Sequence, residues 1–296
     1  MADPAHKGKT APQLWSVAEE GARRRLAAQS EQVRGWVSRE TSGGSWLRAW
    51  SEAEKLMAPL RFTEHHSTVA LTGNGASNHR LLSTKPPCEL PGKAPFDSLT
   101  CPCCAGTVAM DVPDEGWGSA ACSGHQMRYG RHYATFSQLT VVPGRSSALL
   151  GVVGPDFSTA PTDLIAVHES PQGWVLDTTG AGRLWNEMNP SDWAGQPQGE
   201  TKIKQGDVVV RLPSSRCCSC RPNMLTLRVV QGMLLDCDAA TLTVYVNGER
   251  KGVMVQPGMT NDRGDVRRLV GPLRWVVDLT GGASVEIDWG TLPPDA

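Results

Sequence analysis

Leu234-Leu235-Asp236-Cys237-Asp238-Ala239-Ala240-Thr241-Leu242-Thr243-Val244-Tyr245-Val246-Asn247-Gly248-Glu249 is the stretch that decides the fold. Thr241 to Val246 alternates polar or aromatic with aliphatic residues, the period of a strand with one buried face. Asn247-Gly248 follows, the dipeptide best suited to the positive φ angles of a two-residue hairpin turn. Lys251-Gly252-Val253-Met254-Val255 then supplies the returning arm. On the other side, Asp236 and Asp238 flank a tight turn, where their carboxylates can accept backbone amide hydrogens.

The same texture extends in both directions. Short β-rich runs separated by glycine, proline and aspartate occupy Tyr133 to Val142, Ala148 to Val153, Gly173 to Leu176, Asp207 to Arg211, Leu273 to Leu279 and Ser284 to Trp289. Many short strands with turn signals and no alternating helices predict a mainly β protein, an antiparallel β-sandwich. The first third differs. From Pro12, apolar or small residues recur at Trp15, Ala18, Ala22, Leu26, Val33 and Trp36, the spacing of one helical face. Gly43-Gly44 breaks this pattern, and Ser45 can cap a second helix carrying Trp46, Trp50, Ala53 and Met57 and ended by Pro59. A helical N-terminal hairpin over residues 1–58 is the expectation, with its tryptophans packed rather than solvated. Residues 59–104, rich in proline and cysteine and with one strand near Val69 to Leu71, read as a linker.

Several pieces resemble the SPRY domain family, over roughly residues 105–290. Gly130-Arg131-His132-Tyr133-Ala134-Thr135-Phe136 is similar to its opening strand, Gly151-Val152-Val153-Gly154 to the next, and Gly173-Trp174-Val175-Leu176 with Gly182 to the segment bearing its central tryptophan. The run from Leu234 to Glu249 is close to a signature, and Gly271 to Leu279 with Val285 to Trp289 resembles the closing strands. The resemblance implies a concanavalin-like jelly-roll sandwich that is not an enzyme and binds a protein or peptide partner through loops at one end. By the same resemblance, Asp156, Phe157, Thr162 and Asp163 after one strand, and Thr280, Gly281 and Gly282 after another, lie toward that binding end. Phe157 is the expected anchor if exposed, and is otherwise buried beneath its own loop.

One departure stands out. Gly206-Asp207-Val208-Val209 is separated from Gly232-Met233-Leu234-Leu235-Asp236 by an insertion at 210–231, whereas the family joins the two directly. Deleting the insertion restores Gly-Asp-Val-Val-Gly-Met-Leu-Leu-Asp. Valine at its start and glutamine at its end are residues that splice-signal codons supply, so the segment reads as a retained intron or as a genuine surface hairpin.

Composition narrows the chemistry. Lysine plus arginine total 29 against 30 for aspartate plus glutamate, so charge alone draws the chain neither to nucleic acid nor to a membrane surface. No apolar run is long enough for a span, and Met1 to Thr10 lacks the apolar core of a secretory signal. Arg23-Arg24-Arg25 would suit a transit peptide, but Asp3, Glu19, Glu20 and Glu31 do not. The cysteine count of 9 is odd and clustered, which favours reduced thiols and a soluble cytoplasmic or nuclear protein.

No cofactor or metal is expected. A zinc-stabilised regulatory protein is the alternative, with Cys101, Cys104, Cys122 and His125 as ligands at loose spacing; Cys217-Cys218-Ser219-Cys220 offers a weaker set. A ubiquitin-ligase substrate receptor is a second alternative, implied only by the family. A sandwich hydrolase using Asp236 and Asp238 is the least favoured, because a turn role explains both. No nucleophile elbow, zinc-protease motif or phosphate loop occurs.

Overall fold

The computed structural model describes residues 16–38, 40, 42–72, 75–77, 116–140, 147–160, 165–178, 182–197, 230–260, 268–289 and 293. The chain forms two compact units, Met1–Met57 and Ala58–Ala296.

In the first unit the expected long helix is two. Helix α1 spans Val17–Ala27 and α2 spans Glu31–Trp36, with Ser30 capping α2 by accepting the Val33 amide. A serine hydroxyl placed to take an N-terminal amide favours a new helix start over continuation of the old one. Helix α3, Trp46–Met57, begins as expected at Ser45, whose hydroxyl accepts the Arg48 amide. Glu19 of α1 ties the two together: its carboxylate accepts Ser45 Oγ–H at 2.8 Å and the Trp46 amide at 2.6 Å. Buried Ala22, Leu26, Ala49, Ala53 and Leu56 form the apolar faces of α1 and α3. Trp36 is buried, whereas Trp46 and Trp50 are half-buried. Pro12 and Trp15 lie outside the described residues.

The second unit is mainly β. Its strands are β1 (Glu64–His65), β2 (Ala70–Thr72), β3 (Gly75–Ser77), β4 (Gly118–Ala121), β5 (Arg131–Thr140), β6 (Ser147–Val153), β7 (Gly173–Asp177), β8 (Leu184–Asn186), β9 (Asn189–Ser191), β10 (Val230–Asp236), β11 (Thr241–Val246), β12 (Glu249–Val255), β13 (Arg274–Thr280) and β14 (Ser284–Trp289). Among the described residues two 7-stranded sheets result, in the orders β1-β4-β13-β6-β7-β8-β9 and β12-β11-β10-β5-β14-β3-β2. Every pairing is antiparallel. Side chains from both sheets, among them Phe136, Leu150, Trp174, Met233, Leu242, Trp275 and Ile287, fill one core cluster, so the sheets form a sandwich.

The deciding hairpin is as read. Asn247 and Gly248 adopt φ of 51° and 84° between β11 and β12. Asp236 Oδ1 accepts the amides of Asp238 and Ala239, and the Asp238 carboxylate accepts the Gly130 amide. The stretch read as a linker is partly structural: β1 to β3 join the sheets, and Leu60, Phe62 and Val69 are core residues. The strand expected near Val69 to Leu71 is β2, whereas β1 and β3 carry too short an apolar pattern to mark a strand. The Pro86 to Pro95 segment, the Asp207 to Arg211 strand and most of the insertion lie outside the described residues.

Two residues of that insertion are described, Val230 and Gln231, and both belong to β10. Gln231 pairs with Phe136 of β5 and Val246 of β11, faces the core, and is fully buried with neither polar atom of its amide hydrogen-bonded. Such a group costs about 1–3 kcal/mol. Excising 210–231 would place Val208 and Val209 at the register positions of Val230 and Gln231, exchanging the orphaned amide for an aliphatic side chain. The excised chain should therefore be more stable by about 1–3 kcal/mol and unfold at a higher urea midpoint than the full chain. An equal or lower midpoint would show that Gln231 is the proper occupant of the position.

Candidate functional site

Strand register decides which loops meet. Along β13 and β6, Arg274 lies opposite Val153 and Thr280 opposite Ser147. The loop carrying Asp156 and Phe157 therefore opens at the Arg274 end of the sheet, and the Thr280-Gly281-Gly282 turn opens at the other, roughly 20 Å away at the usual strand rise. The structure does not bring these predicted residues together, because loops that follow two adjacent antiparallel strands must point in opposite directions. Asp156 is exposed in a turn, Thr280 and Gly281 are half-buried, and Gly282 is buried. Thr162 and Asp163 lie outside the described residues.

The Arg274 end gathers residues 122–130 between β4 and β5, 154–160 and 165–172 between β6 and β7, the Glu187-Met188 turn between β8 and β9, and 268–273 before β13. Among the described residues of the sandwich, the exposed large hydrophobic side chains are Tyr129 (40 %), Ile165 (55 %), Met188 (58 %) and Val270 (62 %). All four belong to this end, one from each loop. Their sequence signal was weak, since a lone apolar residue in a loop breaks no periodicity.

The Glu187-Met188 turn is unusual. Both residues have positive φ, 52° and 60°, where Asn-Gly is preferred and ordinary side chains cost about 1–2 kcal/mol each. The turn is held by Met188 N–H donating to His168 O at 2.8 Å and Glu187 N–H to Ser170 O at 3.3 Å.

The loop after β6 is fastened across the outer face of the sheet. Phe157 is 7 % exposed and packs with Ala121, Leu149, Val153, Val167, Val175 and Val276, so it is a buried fastening and not an exposed anchor. Arg274 Nη2 donates to Phe157 O at 2.8 Å and to Gly154 O at 3.3 Å, while Nη1 pairs with Glu64 at 2.7 Å. Further along, His168 Nδ1 lies 2.6 Å from Asp278 Oδ2, Ser119 Oγ–H donates to Asp278 Oδ1 at 2.9 Å, and the Val167 amide donates to Ser119 Oγ at 3.1 Å. The His168 ring stands between Trp117 and Trp185 at centroid separations of 4.8 and 5.9 Å.

Ser119, Asp278 and His168 are the residue types of a nucleophilic triad, but their order is different. A triad needs the serine hydroxyl on the imidazole. Here Ser119 gives its proton to Asp278, and both are fully buried. The arrangement holds the loop and presents no activated hydroxyl.

No family model matches the chain, and no curated protein matches it. A structural neighbour is the SPRY domain of human HERC1. The likeness covers 62 % of this chain and 88 % of that one, at a TM-score of 0.37 and 13 % sequence identity. The sandwich itself stands on the strand ladders described above.

The zinc reading meets an apolar environment. Cys122 lies in the sandwich core, and burial pushes its thiol well above the ordinary range, opposite to the thiolate a ligand requires. Cys101, Cys104 and Cys217 to Cys220 lie outside the described residues. Among the described residues no group of three or more His, Cys, Asp or Glu is placed to hold a metal ion. Asp236 and Asp238 spend their carboxylates on backbone amides. No described helix is long and apolar enough to cross a membrane.

Beneath the Tyr129 loop, His125 and His132 meet edge to face at 5.7 Å, and His125 meets Trp289 at 5.5 Å. Burial lowers His125 to about 3, helped by His132, and lowers His132 to about 4 against the opposing hydrogen bond to Tyr129 O. Both therefore stay neutral in the folded protein while the unfolded chain protonates near 6.5. Their contribution to stability is complete above 6.5 and is lost as the pH falls from there toward the folded values, by about 1 kcal/mol per pH unit for each group. Urea midpoints should fall between pH 7 and pH 5, and His125→Phe should make that fall shallower; an unchanged slope would refute the assignment.

Proposed function

We propose that the chain is a SPRY-type interaction module without catalytic activity, and that it binds a protein or peptide through the loops at the Arg274 end of its sandwich. The observation that carries this is the convergence of Tyr129, Ile165, Met188 and Val270, from four separate loops, on one end of the fold. Clustered exposed apolar side chains are costly to leave in water and are a mark of recognition surfaces. Among the described residues, the opposite end carries the Asn247-Gly248 and Gly281-Gly282 turns, which have little side chain to offer. The sequence motifs quoted earlier support the family reading, and the free thiols Cys122 and Cys237 suit a reducing cytoplasmic or nuclear setting. An adaptor or scaffold role follows from binding without chemistry.

Met188→Gly provides a test in which stability and binding move oppositely. Glycine relieves the positive-φ cost, so the variant should be more stable by about 1 kcal/mol. A photo-cross-linker at Ile165 should capture a discrete partner from native extract, and capture should drop in Met188→Gly. Equal capture by a cross-linker placed at Asn247 would discard the choice of end. Phe157→Ala is a poor probe, since it should destabilise the fold by about 3–5 kcal/mol through loss of a buried ring.

A further inference from the structure

The described residues of the loop end are electrically divided, and the division points to a kind of partner. Met127 and Leu273 are joined by reciprocal backbone hydrogen bonds of 2.8 Å, which bring Gly271 beside Arg128. This half carries Tyr129 and Val270 with Arg128 and Arg268, and Arg61 approaches on the segment leading into β1, whose Glu64 pairs with Ala121 beside Cys122. Arg61, Arg128 and Arg268 are exposed, and no described carboxylate lies within ion-pair distance of them. The nearby Asp236 and Asp238 keep their charge while accepting turn amides, and Arg131, 3.8 Å from Asp236, offsets one of them, so the three exposed guanidiniums leave the described part of this half net positive.

The other half carries Ile165 and Met188, joined through the Met188 to His168 backbone hydrogen bond. Its charges are acidic: Asp156 is exposed, Glu169 and Glu187 are half-buried, and no described cation lies within ion-pair distance of the three. From β13 to β8 there are three inter-strand steps, through β6 and β7. At about 4.8 Å each they separate the halves by roughly 15 Å, the span of about four or five residues of extended chain.

We infer that the partner is an extended peptide segment with two apolar anchors about four or five residues apart, carboxylates beyond the anchor at Tyr129 and Val270, and cations beyond the anchor at Ile165 and Met188. This rests on the interaction reading above and adds spacing, polarity and direction to it. The chain as a whole is nearly neutral, at a formal net charge of −1, so discrimination comes from the local division and not from long-range attraction.

A display library of short random peptides, selected on the full chain, tests it. Enriched peptides should show the apolar pair with acidic residues on one flank and basic residues on the other. R128E/R268E should weaken such a peptide about tenfold or more, and a peptide whose acidic flank is changed to lysine should regain affinity for that variant. The regained binding also shows that the variant is folded. Enriched peptides without charge polarity, or with polarity but indifferent to R128E/R268E, overturn the inference and leave the interaction module intact. Peptides that bind equally to a Tyr129→Ala, Met188→Gly chain, or no enrichment over that chain, overturn the choice of surface on which it rests.

Discussion

Strand β13 is buried on both faces, and the rest of the sandwich is arranged around that constraint. Trp275, Val277 and Leu279 point into the core between the sheets. Arg274, Val276 and Asp278 point the other way, yet they too are buried, because the loop after β6 folds back over them. A charged residue in such a place must be paired, since an uncompensated buried charge costs several kcal/mol. The pairing partners are what fasten the loop: Arg274 holds the Gly154 and Phe157 carbonyls and Glu64, while Asp278 holds His168 and Ser119, with Ser119 in turn holding the Val167 amide. Burial of β13 and placement of the loop are thus one event.

Local features were legible in the sequence in proportion to how local their cause is. The β11 to β12 hairpin was plain because its strand period and its Asn247-Gly248 turn lie within a few residues. Strand β14 ran from Ser284 to Trp289 as its alternation indicated. Strand β4, Gly118–Ala121, was silent: its small side chains carry no hydrophobic pattern, and it becomes a strand because β13 and β1 lie on either side of it. The break between α1 and α2 was hidden because the apolar spacing continues across Ser30, whose capping hydroxyl decides otherwise. The turn at Glu187-Met188 had neither glycine nor asparagine at its centre to announce it.

The candidate site was less legible, and for a different reason. That Asp156 and Thr280 belong to opposite ends follows from the antiparallel pairing of β6 with β13, a contact between segments far apart in the chain. The β-rich pattern of the sequence located most of the strands but not which loops share an end. Phe157 illustrates the same limit: a loop aromatic can be an anchor or a fastening, and only the position of β13 beneath it decides. The residues that do reach solvent are single apolar side chains in otherwise polar loops, the weakest pattern a sequence offers.

Fastened loops change what those exposed side chains can do. Ordering a floppy loop on binding costs about 0.5–1.5 kcal/mol for each rotamer-rich side chain immobilised, in addition to its backbone. Here the backbone cost has already been met in folding, since the segment bearing Ile165 continues into Val167 and His168, both tied to the sheet. Ile165 and Val270 are β-branched and Tyr129 is rigid, so these three present contact area with little freedom to lose. Met188 is the exception, unbranched and adaptable, and it stands on a backbone turn whose φ values favour a smaller residue. Under the proposed function, three stiff contacts would set the spacing a partner must match, and one flexible contact would absorb variation in what the partner places there. A surface built in that proportion would discriminate by spacing first and by side-chain identity second.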